Sequence, residues 1–80
     1  MPRFQVRRVY MTESILITLN GQPKEVLAGI SLDQLIADLA LHERRFAVEV
    51  NEHVVPKSQL SKICLSVHDK VEIVVAIGGG

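Results

Sequence analysis

Apolar positions fall in short runs along the chain, and each run ends on a turn signal. Ile15-Leu16-Ile17-Thr18-Leu19 is rich in β-branched residues and stops at Asn20-Gly21. That dipeptide favours a type I′ hairpin turn, because both central residues of the turn need φ > 0. Glu25-Val26-Leu27 is expected to return as the second strand, with Pro23 in or beside the turn, where its missing N–H does no harm. Gly29 closes the hairpin. The period then changes. Leu32, Leu35, Ile36 and Leu39 recur at helical spacing. Ser31 with Gln34 three residues on reads as a capping box, and Ile30 with Leu35 as its hydrophobic staple. This helix is expected to run to about Leu41, before the charged loop His42-Glu43-Arg44-Arg45.

Strand patterning resumes at Phe46. Phe46, Val48 and Val50 share one face, and Ala47 and Glu49 the other. Asn51-Glu52 turns the chain, and His53-Val54-Val55 forms a short strand that Pro56 stops. Lys57 to Ile63 has room for one helical turn. A polar turn, His68-Asp69-Lys70, precedes the last strand, Val71 to Ile77. That strand is apolar on nearly all positions, which predicts a central place in the sheet. A helix after a hairpin must bury its apolar stripe on one face of the sheet. The last strand then fits beside the first, parallel to it. The predicted fold is α+β: a ubiquitin-like β-grasp, with a mixed sheet of four to five strands and one main helix on one face.

Eighty residues make one small domain. Formal net charge is zero. A nucleic-acid binder of this size carries a basic excess, so that partner is not expected. No apolar run approaches membrane-spanning length, and no membrane partner is expected. The single cysteine, Cys64, excludes an internal disulfide, and no zinc spacing is present. A reducing, cytoplasmic setting fits. The chain divides into an N-terminal extension (residues 1–13), a β-grasp body (14–77) and a Gly-Gly-Gly tail (78–80). Arg3, Arg7 and Arg8 in the extension sit among Phe4, Val6, Val9 and Tyr10. A loose extension, an added edge strand and a targeting segment are its three readings, the first preferred, and Met11 is an alternative start.

Gly78, Gly79 and Gly80 form a slim peptide with no Cβ atoms, suited to a narrow tunnel in another protein. Gly-rich ends are also commonly inert. Ala47-Val48-Glu49-Val50-Asn51, Val54-Val55-Pro56-Lys57, Val71-Glu72-Ile73-Val74 and the terminal glycines together resemble the ThiS family, small sulfur carriers of thiamin biosynthesis. Asn20-Gly21 and Gly29-Ile30-Ser31-Leu32 match as well, so the resemblance covers about residues 14–80. Two departures stand out. The family often has glycine where Glu52 stands, and Gly-Asp where this chain has His68-Asp69. Both concern turns.

The resemblance implies a cycle. A ThiF-type adenylyltransferase adenylates the Gly80 carboxylate, a persulfide donor replaces AMP with sulfur, and the thiocarboxylate delivers that sulfur to thiazole synthase, ThiG. Gly79 and Gly78 would thread the tail through a tunnel. An α-carboxylate is ionised at neutral pH and is a weak nucleophile. Its activation takes ATP and Mg, with cations to absorb phosphate charge. This chain has no Gly-x4-Gly-Lys-Ser/Thr sequence. ATP and Mg are therefore expected in the partner enzyme. No cofactor, metal or catalytic residue is assigned to this chain, which is a co-substrate rather than an enzyme and a monomer when free.

A carrier also needs a docking surface. With Ile15, Ile17, Leu19, Phe46, Val48, Val50, Val71, Ile73 and Val75 facing the helix, the other sheet face carries Leu16, Thr18, Ala47, Glu49, Glu72, Val74 and Ala76. Leu16, Ala47, Glu72, Val74 and Ala76, with Ile77, are the expected partner contacts, because apolar patches rimmed by charge mark partner sites. A solvated sheet face is the alternative. Cys64, between Ile63 and Leu65, is expected to pack inside, as cysteine commonly does. A Cys64-His68-Asp69 nucleophile set finds no deep pocket in so small a domain. His42 and His53 read as surface histidines, and Arg44-Arg45 as a solvated loop. The rivals are a MoaD-like carrier for molybdopterin, which lacks the Val-Asn…Val-Pro-Lys stretch, a ubiquitin-like interaction module, and a small enzyme built on Cys64.

Overall fold

The computed structural model describes residues 13–77, and the expectations for 1–12 and 78–80 lie outside the described residues. Strands β1 (Ser14–Leu19) and β2 (Gln22–Leu27) form the hairpin. Helix α1 (Leu32–Asp38) follows, then β3 (Phe46–Val50), β4 (His53–Val55), a 3-10 helix (Lys57–Lys62) and β5 (Lys70–Val75). The five strands form one sheet in the order β2-β1-β5-β3-β4. β5 lies in the middle, parallel to β1 and antiparallel to β3. This is the β-grasp arrangement expected from the chain's patterning.

The hairpin turn has φ +50° at Asn20 and +82° at Gly21, as a type I′ turn requires. β2 starts earlier than its apolar residues suggest, and Pro23 lies within it, opposite Thr18. The strand tolerates this proline because β2 is the sheet edge among the described residues. The ladder also reaches back one residue before β1, where the Glu13 carbonyl accepts from Ala28 N–H at 2.9 Å.

Ser31 caps α1, its Oγ accepting from Gln34 N–H at 3.0 Å. The reciprocal half of the capping box is replaced: Gln34 Nε2 donates forward to Asp38 Oδ1 at 2.9 Å. The helix ends at Asp38 rather than near Leu41. Leu41 N–H donates to Ile36 C=O and Ala40 N–H to Ala37 C=O, at 3.0 and 2.9 Å, with Ala40 at φ +60°. These bonds make a Schellman closure, which turns the chain and folds Leu41 back on the helix. Glycine normally takes that left-handed position. An alanine there gave no stop signal in the sequence.

The core contains Ile17, Val26, Leu32, Leu35, Ile36, Val48, Leu60, Leu65, Val71 and Ile73. Ile15, Leu19, Phe46, Val50 and Val75 pack against it, so all nine residues expected to face the helix do so. Leu60 comes from the 3-10 helix, which packs beside α1. A single bridge, Ser31 with Cys64, ties the start of α1 to the segment after the 3-10 helix. Leu32 N–H donates to Ile63 C=O and Leu65 N–H to Ile30 C=O, at 2.9 and 2.8 Å. This pairing directs Ile63 and Leu65 toward the core and leaves Cys64 exposed. The expected packing role for Cys64 is thereby corrected: strand alternation outweighs the cysteine's own apolar character.

Candidate functional site

α1 and the 3-10 helix occupy one side of the sheet, and no element among the described residues covers the other face. Register decides what that face carries. Leu16 is opposite Glu25, Ser14 opposite Leu27, Ala47 opposite Val74, Glu49 opposite Glu72 on one side and Val54 on the other. Of six large apolar side chains exposed among the described residues, four lie here: Leu16 (48%), Leu27 (54%), Val54 (70%) and Val74 (69%). Ala47 and Ala76 extend this surface as exposed small residues, and Ile77, 89% exposed, continues from the end of β5. Leu16, Ala47, Glu72, Val74, Ala76 and Ile77 are thus all accessible, five of them on one continuous face.

Leu27 and Val54 also belong to this face, although the chain's patterning did not single them out. The register was the missing information. Once Leu16 pairs with Glu25 and Glu49 with Val54, alternation sends Leu27 and Val54 outward. Electrostatics sharpen the picture. Glu49 and Glu72 sit directly across from each other in the β3–β5 ladder. Like charges in that relation are destabilising. Lys70, at the start of β5, is drawn toward Glu52 at 3.4 Å instead. The middle of the face is therefore apolar with a repelling acidic pair.

The strand leading toward the tail is held on both flanks by turn asparagines. Asn20 Oδ1 accepts from Ile73 N–H at 2.8 Å, and Asn20 Nδ2 donates to Ile73 C=O at 3.2 Å. Asn51 Oδ1 accepts from Lys70 N–H at 2.9 Å, and Asn51 Nδ2 donates to Asp69 Oδ1 at 3.0 Å. Asp69 Oδ2 accepts from Ser66 N–H at 2.8 Å. The Asp69 carboxylate therefore serves the turn, with Asn51 and Ser66 as its donors. His68 in the same turn is exposed, at φ +70°. Glu52, in the β3–β4 turn, has φ +72°. Both departures from the ThiS pattern occupy backbone positions that glycine favours. In the Pro56-Lys57 motif, Lys57 Nζ lies 4.6 Å from the Phe46 ring centroid, a cation–π contact at the base of β3. His42 and His53 are exposed, and no three His, Cys, Asp or Glu side chains cluster as metal ligands among the described residues.

The model of the ThiS family matches residues 17–80, four-fifths of the chain, from the middle of β1 onward. The chain belongs to the ThiS family. A solved structure, the thiamine biosynthesis protein ThiS of Geobacter metallireducens, superposes with a TM-score of 0.71 at 25% identity, covering 82% of this chain and 100% of that one. A thiazole synthase of Paramagnetospirillum magneticum is 36% identical over 64 residues, covering 80% of this chain and 20% of the relative. The chain thus spans a fifth of that relative's length. The uncharacterized protein ycf40 of Porphyra purpurea is 31% identical over 70 residues and covered over 99% of its length. The ThiS match includes Gly78, Gly79 and Gly80, which lie outside the described residues. No helix among the described residues is long and apolar enough to cross a membrane.

Proposed function

We propose that this chain is a sulfur carrier of thiamin biosynthesis, worked upon at Gly80 by other proteins. The observation that carries this reading is the ThiS-family match running through the last glycine. A Gly80 carboxylate oxygen attacks the α-phosphorus of ATP in a ThiF-type adenylyltransferase, with Mg, and pyrophosphate leaves. A persulfide sulfur then attacks the acyl carbon and AMP leaves. Reduction of the S–S bond by a thiol frees the thiocarboxylate. Thiazole synthase, ThiG, accepts that sulfur. The relative that names this partner holds a ThiS-like stretch within its own chain, which supports a working association of the two.

The uncovered sheet face is the docking surface in this reading. Leu16, Ala47, Val74 and Ala76 meet an apolar patch on the partner, and Glu72 with Glu49 meets a partner cation that relieves their repulsion. Ile77 guides the tail, and Gly78 and Gly79 pass a constriction that a Cβ would block. The test is the intact mass of the chain after incubation with ATP, Mg, a persulfide donor and the adenylyltransferase. Exchange of one oxygen for sulfur at Gly80 is the expected result. An unchanged mass, with tight partner binding, would instead support an interaction module. Deleting Gly80 should abolish loading and leave the fold intact.

A further inference from the structure

The β1–β5 pairing is short. Only Thr18 with Lys70 and Leu19 with Val71 are paired before β1 ends at Leu19. Asn20 N–H still donates to Val71 C=O at 2.8 Å, and the Asn20 carboxamide then takes both backbone groups of Ile73. The side chain stands in for one further peptide unit of β1. Beyond it the chain has turned away toward β2.

β5 itself continues. Asn51 N–H donates to Lys70 C=O, and Ala76 N–H donates to Arg45 C=O, at 2.8 and 2.9 Å. In the antiparallel β3–β5 register, residues 70, 72, 74 and 76 therefore direct their backbone groups toward β3. Residues 71, 73 and 75 direct theirs the other way, toward β1. Val71 meets β1 and Ile73 meets Asn20. Among the described residues nothing meets the N–H and C=O of Val75, and the same alternation turns those of Ile77 to that side. The result is a short open edge in a central strand, beginning one step past Asn20 and leading into the tail.

We infer that this edge is a strand-pairing site, and that an extended segment of thiazole synthase pairs with Val75 and Ile77 while the enzyme takes the tail. The inference rests on the carrier reading and deepens it. Edge pairing gives affinity through main-chain hydrogen bonds, and it asks of its occupant only an extended segment without proline at the pairing positions. A second copy of this chain is a poorer occupant. Two residues on each side bury far less than the roughly 1,000 Å² a stable interface needs. A large enzyme that also covers the Leu16–Val74 face supplies the remaining area. Three residues beyond Ile77 reach about 10 Å when extended, so pairing at Val75 and Ile77 sets the line along which Gly80 arrives.

Amide hydrogen exchange on the full chain, free and bound to thiazole synthase, tests this, together with two substitutions. Val75 and Ile77 amides should exchange rapidly in the free chain and at least about tenfold more slowly in the complex, with Ile73 slow in both. Ile77→Pro removes an edge-facing N–H at an exposed position outside β5, so the fold should survive. It should weaken binding by about tenfold more than Ile77→Ala, which loses only the side-chain contact and keeps the N–H, the difference expected of one backbone hydrogen bond. Protection already present in the free chain would overturn the inference. So would unprotected amides in the complex, or equal effects of the two variants. If loading with sulfur and binding both persist under those outcomes, the carrier reading stands and only the edge pairing fails. If the unaltered chain binds no thiazole synthase, both fail together.

Discussion

The Asn20 side chain and the Ile73 backbone exchange two hydrogen bonds across 53 residues of sequence, at 2.8 and 3.2 Å. The same residue makes the hairpin turn and finishes the parallel ladder. Asn20→Gly keeps a residue content with φ > 0 but removes both bonds. It should destabilise the fold by about 1–3 kcal/mol, the cost of leaving backbone groups unpaired. Urea unfolding measures this, and faster exchange of the Ile73 amide locates it. A loss no larger than a few tenths would show that water replaces the carboxamide.

Ala40 holds the left-handed position that closes α1. A β-carbon in that conformation costs roughly 1–2 kcal/mol, against which glycine's extra unfolded-state freedom counts about 0.5–1. Ala40→Gly should therefore raise stability by up to about 1 kcal/mol. The thermal midpoint should rise correspondingly. His68→Gly removes the same strain at φ +70° without disturbing the hydrogen bonds Asp69 makes.

Glu72→Gln removes one member of the facing acidic pair. The isolated chain should gain about 0.2–1 kcal/mol, the usual size of a cross-strand charge effect. If a partner cation sits over this pair, loading by the adenylyltransferase should slow at the same time. Stability up and loading down is the diagnostic combination. Unchanged loading would place docking elsewhere.

Val74→Lys puts a charge in the middle of the uncovered face. Val74 is 69% exposed, so the fold should change by no more than about 0.5 kcal/mol. Partner-dependent sulfur loading should fall by at least about tenfold, because docking would then bury an unpaired ammonium against an apolar patch. Full loading with this variant would argue that the face is merely solvated.

Cys64→Ser bears on the remaining rival. Cys64 is exposed, and its neighbours Ile63 and Leu65 do the packing. Stability should stay within about 0.5 kcal/mol and loading should be unaffected. Loss of loading with the fold intact would move the chemistry from Gly80 to this thiol.

Most of the architecture was legible because local signals agreed with one another. Asn20-Gly21, the Ser31 cap, the leucine stripe and strand alternation each named one element, and together they pointed to the same fold. Alternation in β1, β3 and β5 sorted correctly the nine residues expected to face the helix. What was not legible came from geometry without a residue signature. Ala40 ends the helix from a position where glycine was the expected marker. Pro23 sits in a strand because that strand is an edge. Cys64 is turned outward by a single bridge to Ser31. Leu27 and Val54 reach the uncovered face only through registers that the chain alone does not display. The two bonds from Asn20 to Ile73 span the whole body and have no sequence pattern at all.

The central placement of β5 has a mechanical side. A pull on Ile77 runs along the strand's own axis, with β3 on one flank and β1 with Asn20 on the other. The load falls sideways on all of those hydrogen bonds together, instead of peeling them away singly. An enzyme that hauls on the end of this chain would meet an anchor that yields only when the sheet shears as a whole.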